Sequence, residues 1–257
     1  MTDIADAHTA VTPIGRKRVL VTGGTTGIGR AIAVLLASEG ARVFICGRDP
    51  QHLADALARV REVGEGDGMT IDLAEEENVA RLFAAATDYL GGLDVAVVNA
   101  ARGAEGLTEM SEADLRYTIG SNFTAYLLSA QAAARAMGVT SEDSQGSGHI
   151  VLVGSMSAYV LGPGSTVYAG IKYGIQGFAQ ALRRELGPKG VRVSLVEPGL
   201  TGSDMVEGTP AEQAERIGRE EMLRAEDIAV GVHYLLTQPG RTVVQQLTIA
   251  PRMEDQE

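Results

Sequence analysis

The chain has 257 residues, 45% of them hydrophobic, and a formal net charge of −11 at pH 7. That length and core-forming content suit one α/β domain and exclude a disordered chain. The acidic balance excludes a nucleic-acid or anionic-membrane surface as the main partner, and a single cysteine, Cys46, excludes an intrachain disulfide and a cysteine metal cluster.

Residues 1–15 lack the basic-then-apolar layout of a signal peptide and read as a flexible tail before one domain over 16–257. Apolar runs then predict strands at 19–22, 42–46, 69–71, 95–98, 149–154, 191–196 and 243–249. Helical stretches lie between them at 27–38, 50–63, 75–90, 112–137, 166–186 and 226–236. Strand alternating with helix implies right-handed crossovers and a seven-stranded parallel sheet flanked by helices, a doubly wound Rossmann-type α/β domain. Residues 140–148 read as a surface loop, and 199–224 as a longer irregular one that covers a site. No stretch has the length of a membrane span, so a cytoplasmic protein is expected.

The first strand runs into TGGTTGIG at residues 22–29. Gly23 permits the tight turn, while Gly27 and Gly29 let backbone approach a pyrophosphate and let helix pack on strand. The amides around Thr25, Thr26 and Ile28 would then face the anion at the positive end of the helix. The same glycines would also serve a plain turn. After the second strand comes Cys46-Gly47-Arg48-Asp49-Pro50. Gly47 leaves room for a ribose 2′-phosphate and Arg48 offers a bidentate cation, which favours NADP over NAD. Asp49 before Pro50 reads as a helix N-cap, leaving its carboxylate turned to the helix amides. Arg48 equally reads as a solvated loop cation.

Only three lysines and seven tyrosines occur, yet Tyr168 and Lys172 stand four apart in one helical stretch and share a face. Ser155 closes the fifth strand, at the carboxyl edge where open α/β sheets bind ligands. These features, with Asp72 after the third strand, Asn122 in its long helix and EPGLTGSDM from Glu197, resemble the short-chain dehydrogenase/reductase family over about residues 18–249. The resemblance implies that Tyr168 is the acid/base, that Lys172 lowers its pKa and binds ribose hydroxyls, and that Ser155 donates to the substrate oxygen. It also implies that Asn122 holds a water leading from Lys172 to solvent. Asp72 and Leu73 would meet the adenine, Asn99 the cofactor edge of the fourth strand, and Pro198, Gly199 and Ser203 the nicotinamide. Taken singly, Asp72 also reads as a helix cap, Ser155 as a turn hydroxyl and Asn122 as an exposed helical amide.

The family's usual Asn-Asn-Ala-Gly is Val98-Asn99-Ala100-Ala101 here, and Thr26 stands where many NADP-preferring members carry a basic residue. Arg48 is therefore left as the main reader of the 2′-phosphate. Met156, Tyr159, Val160 and Leu161, with Met205, Val206, Met222 and Leu223, are the candidate pocket walls, suiting a carbonyl or alcohol substrate with an apolar body. The same residues would also serve as core or subunit interface. No metal is expected, because His8, His52, His149 and His233 are scattered. The resemblance implies a homotetramer, with a dimer as the second choice. The alternatives to an NADP-dependent oxidoreductase are a lyase or dehalogenase using the tyrosine without hydride transfer, and a non-catalytic dinucleotide-binding regulator.

Overall fold

The computed structural model describes residues 11–159, 166–206 and 208–253. Seven strands form one parallel sheet in the order β3-β2-β1-β4-β5-β6-β7. They are β1 (Arg18–Val21), β2 (Arg42–Gly47), β3 (Glu65–Thr70), β4 (Val95–Val98), β5 (Gly148–Val153), β6 (Val191–Pro198) and β7 (Gln246–Ile249). Helices α1 (Gly27–Ser38), α2 (Pro50–Val63) and α8 (Ala225–Thr237) bury one face of the sheet through Ile32, Leu36, Leu57, Val60 and Ile228. Helices α3 (Asn78–Leu90), α5 (Ala125–Ala136) and α6 (Thr166–Leu186) bury the other through Leu82, Phe83, Ala130, Ala133, Ile175 and Ala179. The strand order reverses between β1 and β4, so the crevice for a ligand opens at the carboxyl ends of those two strands.

Helices α1, α2 and α6 run over the residues expected from the apolar periodicity. Asp49 caps α2 as expected, its carboxylate accepting from the His52 amide at 2.8 Å with Pro50 in the first turn.

Several boundaries differ from expectation. The edge strand β3 begins at Glu65 rather than at 69, although Glu65-Gly66-Asp67-Gly68 has no apolar alternation. Its register against β2 is regular, and a Cβ on Gly66 would press on Val43 and Val60, so glycine is what allows α2 to lie close. Helix α3 begins at Asn78 because Glu77 adopts a left-handed conformation with φ 63°, which ends the preceding turn. The expected helix over 112–137 is divided into α4 (Glu112–Ile119), a π-helical turn (Gly120–Thr124) and α5. Within the loop expected over 199–224 lies a ninth-residue-long helix missed by periodicity, α7 (Pro210–Gly218, 9 residues). It buries no residue, and its apolar side chains are only Ala211, Ala214 and Ile217, but it carries a capping box in which Thr209 and Glu212 bond reciprocally around Pro210.

The later part of the expected tail packs on the domain. Ile14 is 4% exposed within the α1–α2–α8 core, and Thr12 donates to the Thr237 and Gln238 carbonyls at 2.8 and 2.7 Å. Among the described residues no helix is long and apolar enough to cross a membrane, and no His/Cys/Asp/Glu cluster could hold a metal.

Candidate active site

The loop between β1 and α1 is shaped by what its glycines permit. Gly23 and Gly27 have φ of 63° and 49°, a region that side chains disfavour. A Cβ on Gly23 would lie 2.8 Å from the Ala100 Cα, and one on Gly29 would collide with the Gly23 carbonyl. The Asn99 side chain braces this loop, donating to the Thr22 and Gly23 carbonyls at 3.1 and 3.2 Å. The Thr22 hydroxyl in turn accepts from the Asn99 and Ala100 amides at 2.9 and 3.1 Å. Asn99 therefore acts as a strut under the cradle as well as lining its edge.

Helix α1 starts with no side-chain cap and no acidic residue in its first turn. Its first amides and its positive dipole end are left for an anion. They open on a cleft of about 640 Å³ lined by Gly23, Thr25, Thr26, Gly27, Ile28, Gly47, Arg48, Asp72, Leu73, Asn99 and Ser203. An uncapped helix start, a glycine wall that admits no Cβ and a cation at the far end fit a pyrophosphate-bearing dinucleotide. Gly29 does not line the cleft; it serves the packing of α1 on the loop. Cys46 also faces the cleft, but burial pushes its thiol up to about 12, so it behaves as a small apolar residue.

At the Arg48 end of the cleft lies a cluster that the sequence did not reveal. An Arg48 guanidinium nitrogen donates to the Tyr117 hydroxyl at 2.9 Å, and that hydroxyl donates to Asp72 Oδ2. The other Asp72 oxygen accepts from the Ala74 amide at 3.0 Å. The Arg102 guanidinium sits over the Tyr117 ring, 5.3 Å from its centroid. Burial, and then the bond to Asp72, raise the Tyr117 phenol above its ordinary range.

A second cavity of about 540 Å³ continues from the first, sharing Ile28, Asn99 and Ser203 with it. It is lined by Ser155, Tyr168, Lys172, Pro198 and Gly199. The fourth-residue spacing on α6 brings Tyr168 and Lys172 to one wall, and the end of β5 brings Ser155 to meet them. Ser155 and Tyr168 are hydrogen-bonded through their hydroxyls, which lowers the phenol, but burial dominates and leaves it above its ordinary value. The Ser155 oxygen also accepts from the Ser157 amide at 3.1 Å, which fixes its place beside Tyr168.

Lys172 is 2% exposed, and its burial lowers it to about 7. Its ammonium donates to the Val153 carbonyl at 3.2 Å and lies 5.3 and 5.4 Å from the ring centroids of Tyr126 and Tyr168. Tyr126 is a further residue without a signal in the sequence. It is buried, and its hydroxyl donates to the same Val153 oxygen at 3.0 Å.

Asn122 sits within the helical stretch expected for it, at the point where that stretch is broken. It lies in the π-helical turn, fully buried, and does not line either cavity. Its side chain accepts from the Arg102 amide at 2.9 Å and donates to the Arg102 carbonyl at 2.6 Å. The amide is thus spent on fixing the loop after β4, and the reading of an exposed helical amide is overturned.

The pocket walls divide. Met156, Met205 and Val206 line the second cavity, joined by Leu200. Met222 is 3% exposed and packs into the domain, while Leu223 packs on the α1–α2–α8 core, so neither forms the wall. Tyr159 turns away, its hydroxyl 3.2 Å from Thr248 Oγ1 and also bonded to Glu197. Val160 and Leu161 lie outside the described residues. Gln213 of α7 was also missed; its amide donates to the Ser203 and Val206 carbonyls at 3.2 and 3.0 Å and so holds the loop beside the cavity.

A family model described as short chain dehydrogenase matches residues 17–214. An uncharacterised oxidoreductase of Staphylococcus aureus is 30% identical over 246 residues, covering 94% of this chain and 100% of that protein. Glycine betaine reductase of Emericella nidulans is 32% identical over 254 residues, but the alignment covers 94% of this chain and only 19% of that much longer protein. Among solved structures, a short chain dehydrogenase from Burkholderia cenocepacia in complex with NADP superposes with a TM-score of 0.81 at 31% identity, covering 93% of this chain and 98% of that one.

Proposed function

The chain belongs to the short-chain dehydrogenase family, and from that premise we propose that it is an NADP(H)-dependent oxidoreductase acting on a carbonyl or secondary alcohol carbon, with Tyr168 as acid/base. One observation carries this reading. Ser155, Tyr168 and Lys172 converge on a cavity continuous with a glycine cradle built for a dinucleotide.

The uncapped start of α1 and the amides from Thr25 to Ile28 would hold the pyrophosphate, with Asp72 and Leu73 at the adenine. Pro198, Gly199 and Ser203 would border the nicotinamide, and Lys172 would reach the ribose hydroxyls beside it. When bound, the nicotinamide supplies or accepts the hydride. The preference for NADP rests on Arg48, which has no carboxylate in ion-pair range among the described residues. The relative from Burkholderia was solved with NADP.

The protein's own groups handle the proton. Burial keeps the Tyr168 phenol protonated at neutral pH, which suits donation from its hydroxyl to a substrate oxygen during carbonyl reduction. Ser155, held in place by the Ser157 amide, would turn its proton from the Tyr168 hydroxyl to the same substrate oxygen and stabilise the charge that develops there. Met156, Leu200, Met205 and Val206 favour a substrate with an apolar body. Asn122 would act by positioning Arg102 and the loop after β4. For the assembly we propose a homotetramer, with a dimer second, through the helices around Asn122 and Tyr168 and the terminal strand, where Ile119 of α4 and Tyr173 of α6 are exposed beside Leu107 of the turn before α4; light scattering would measure its mass.

Titrating NADPH and NADH separately against the protein, followed by an aliphatic and aromatic carbonyl panel, tests the reading. Tight NADPH binding with turnover of some carbonyl is the expected result. Binding of neither cofactor would overturn it.

A further inference from the structure

We propose that Tyr117 is a specificity-determining positioning residue, which aims Arg48 at the 2′-phosphate of the cofactor by tying its guanidinium to Asp72 through one phenolic hydroxyl. The proposal rests on the reading that Arg48 recognises that phosphate.

Arg48 stands on the loop after β2, exposed, at the end of a long side chain. Such a side chain carries about 2 kcal/mol of rotamer entropy, much of which an unsupported arginine would lose on gripping a phosphate. Fixing it beforehand moves that loss out of the binding step. The Tyr117 hydroxyl, carried on α4, does this by accepting from one Arg48 nitrogen at 2.9 Å.

The chemistry of the tie matters. A carboxylate bound directly to Arg48 would occupy its bidentate edge and compete with the phosphate for it. Here the carboxylate is one bond removed. The phenol donates to Asp72 and accepts from Arg48, so one guanidinium hydrogen is used and four donors remain. The Asp72 charge is meanwhile satisfied by the phenol and by the Ala74 amide at 3.0 Å.

The ring has a second use. Arg102 lies over it at 5.3 Å, and its backbone is clamped on both sides by Asn122. Neither Arg48 nor Arg102 makes an ion pair among the described residues, in a chain whose net charge is −11. Two guanidinium groups are thus gathered on one tyrosine at the end of the cleft where a dinucleotide carries its extra phosphate. The cost is a raised phenol pKa, which keeps the hydroxyl a donor to Asp72 across the neutral range.

Equilibrium titration of NADPH and NADH, read by cofactor fluorescence without turnover, tests this in wild type, Tyr117→Phe, Arg48→Ala and the double variant. Tyr117→Phe keeps the ring beneath Arg102 and removes only the hydroxyl. It should weaken NADPH on the order of tenfold and NADH less than twofold, because the lost hydroxyl holds Arg48, which meets only the 2′-phosphate, and the glycine cradle is untouched. In the Arg48→Ala background the same change should leave the NADPH-to-NADH ratio unaltered. Equal weakening of both cofactors, or none, by Tyr117→Phe would overturn the proposal while Arg48→Ala still discriminates. An Arg48→Ala variant that loses both cofactors equally would instead overturn the premise that Arg48 reads the phosphate, and this inference with it. NADH binding also reports that each variant is folded.

Discussion

The Lys172 ammonium and the Val153 carbonyl are joined by a hydrogen bond of 3.2 Å in a fully enclosed position, and the same carbonyl also accepts from the Tyr126 hydroxyl. Lysine at this site is therefore expensive for the fold. Its pKa falls to about 7 because burial penalises the charge, against an ordinary value of 10.5.

From this follows a stability gain on removing it. Between pH 10.5 and 7 the unfolded chain binds more protons at this group than the folded one, so stability declines as pH drops through that window. Lys172→Met has no such loss, and Val153 keeps Tyr126 as its donor. At pH 7 the variant should be more stable by about 1–3 kcal/mol and lack turnover, a trade of stability against function. Denaturant unfolding at pH 7 and near pH 10.5 measures the gap, which should close at the higher pH. A less stable variant at pH 7 would contradict the assignment.

Tyr168→Phe should lower kcat at least ~100-fold while leaving NADPH affinity within about twofold, since in the proposed role the hydroxyl moves the proton and the cradle lies elsewhere. Steady-state kinetics beside a cofactor titration separates the two. Turnover near the wild-type rate would remove Tyr168 from the acid/base role.

A second titration effect lies at the opposite edge of the sheet. Ser194 donates to the Val244 carbonyl at 2.6 Å, so it must accept from His149 Nε2 at 2.8 Å, which fixes the neutral tautomer and leaves Nδ1 without a partner among the described residues. Burial first, and the Arg192 charge second, hold this imidazole down to about 3. The folded state resists protonation that the unfolded chain accepts near 6.5, so the contribution is complete above 6.5 and lost as pH falls toward 3. The slope is at most ~1.4 kcal/mol per pH unit. His149→Gln should show a shallower loss between pH 7 and 4 in urea unfolding. Parallel curves would show that His149 does not drive it.

Ile14 offers a test of the packed leader. Ile14→Ala should cost about 2 kcal/mol through lost burial and the void left among α1, α2 and α8. Removing residues 1–15 should cost at least as much, while the activity per folded molecule stays unchanged. A thermal midpoint indistinguishable from wild type in both variants would show the contact to be idle.

The sheet, its order of elements and the placing of the cradle were legible because each rests on a local signal. Apolar runs of strand length alternate with helical periodicity, glycines stand between β1 and α1, and Asp49-Pro50 announces α2. The misses have local causes too. Strand β3 is written in glycine and acid because it lies at an edge under α2, and so lacks alternation, while α7 is short and too polar to read as a core-facing helix. Its capping box was readable and would have found α7.

The sequence by itself determined the fold class and the shared face of Tyr168 and Lys172, since these follow from periodicity and from spacing within one helix, while its ordered motifs carried the resemblance to the family. Only the tertiary structure decided which groups stand around them. Tyr117 meets Asp72 and Arg48 across 45 and 69 residues of chain, Asn122 clasps Arg102 across 20, and Tyr126 shares the Val153 carbonyl with Lys172. Side-chain hydrogen bonds between distant segments leave no period and no motif. They exist because the sheet brings the carboxyl ends of β2, β3, β4 and β5 to one edge and makes neighbours of the segments that leave them.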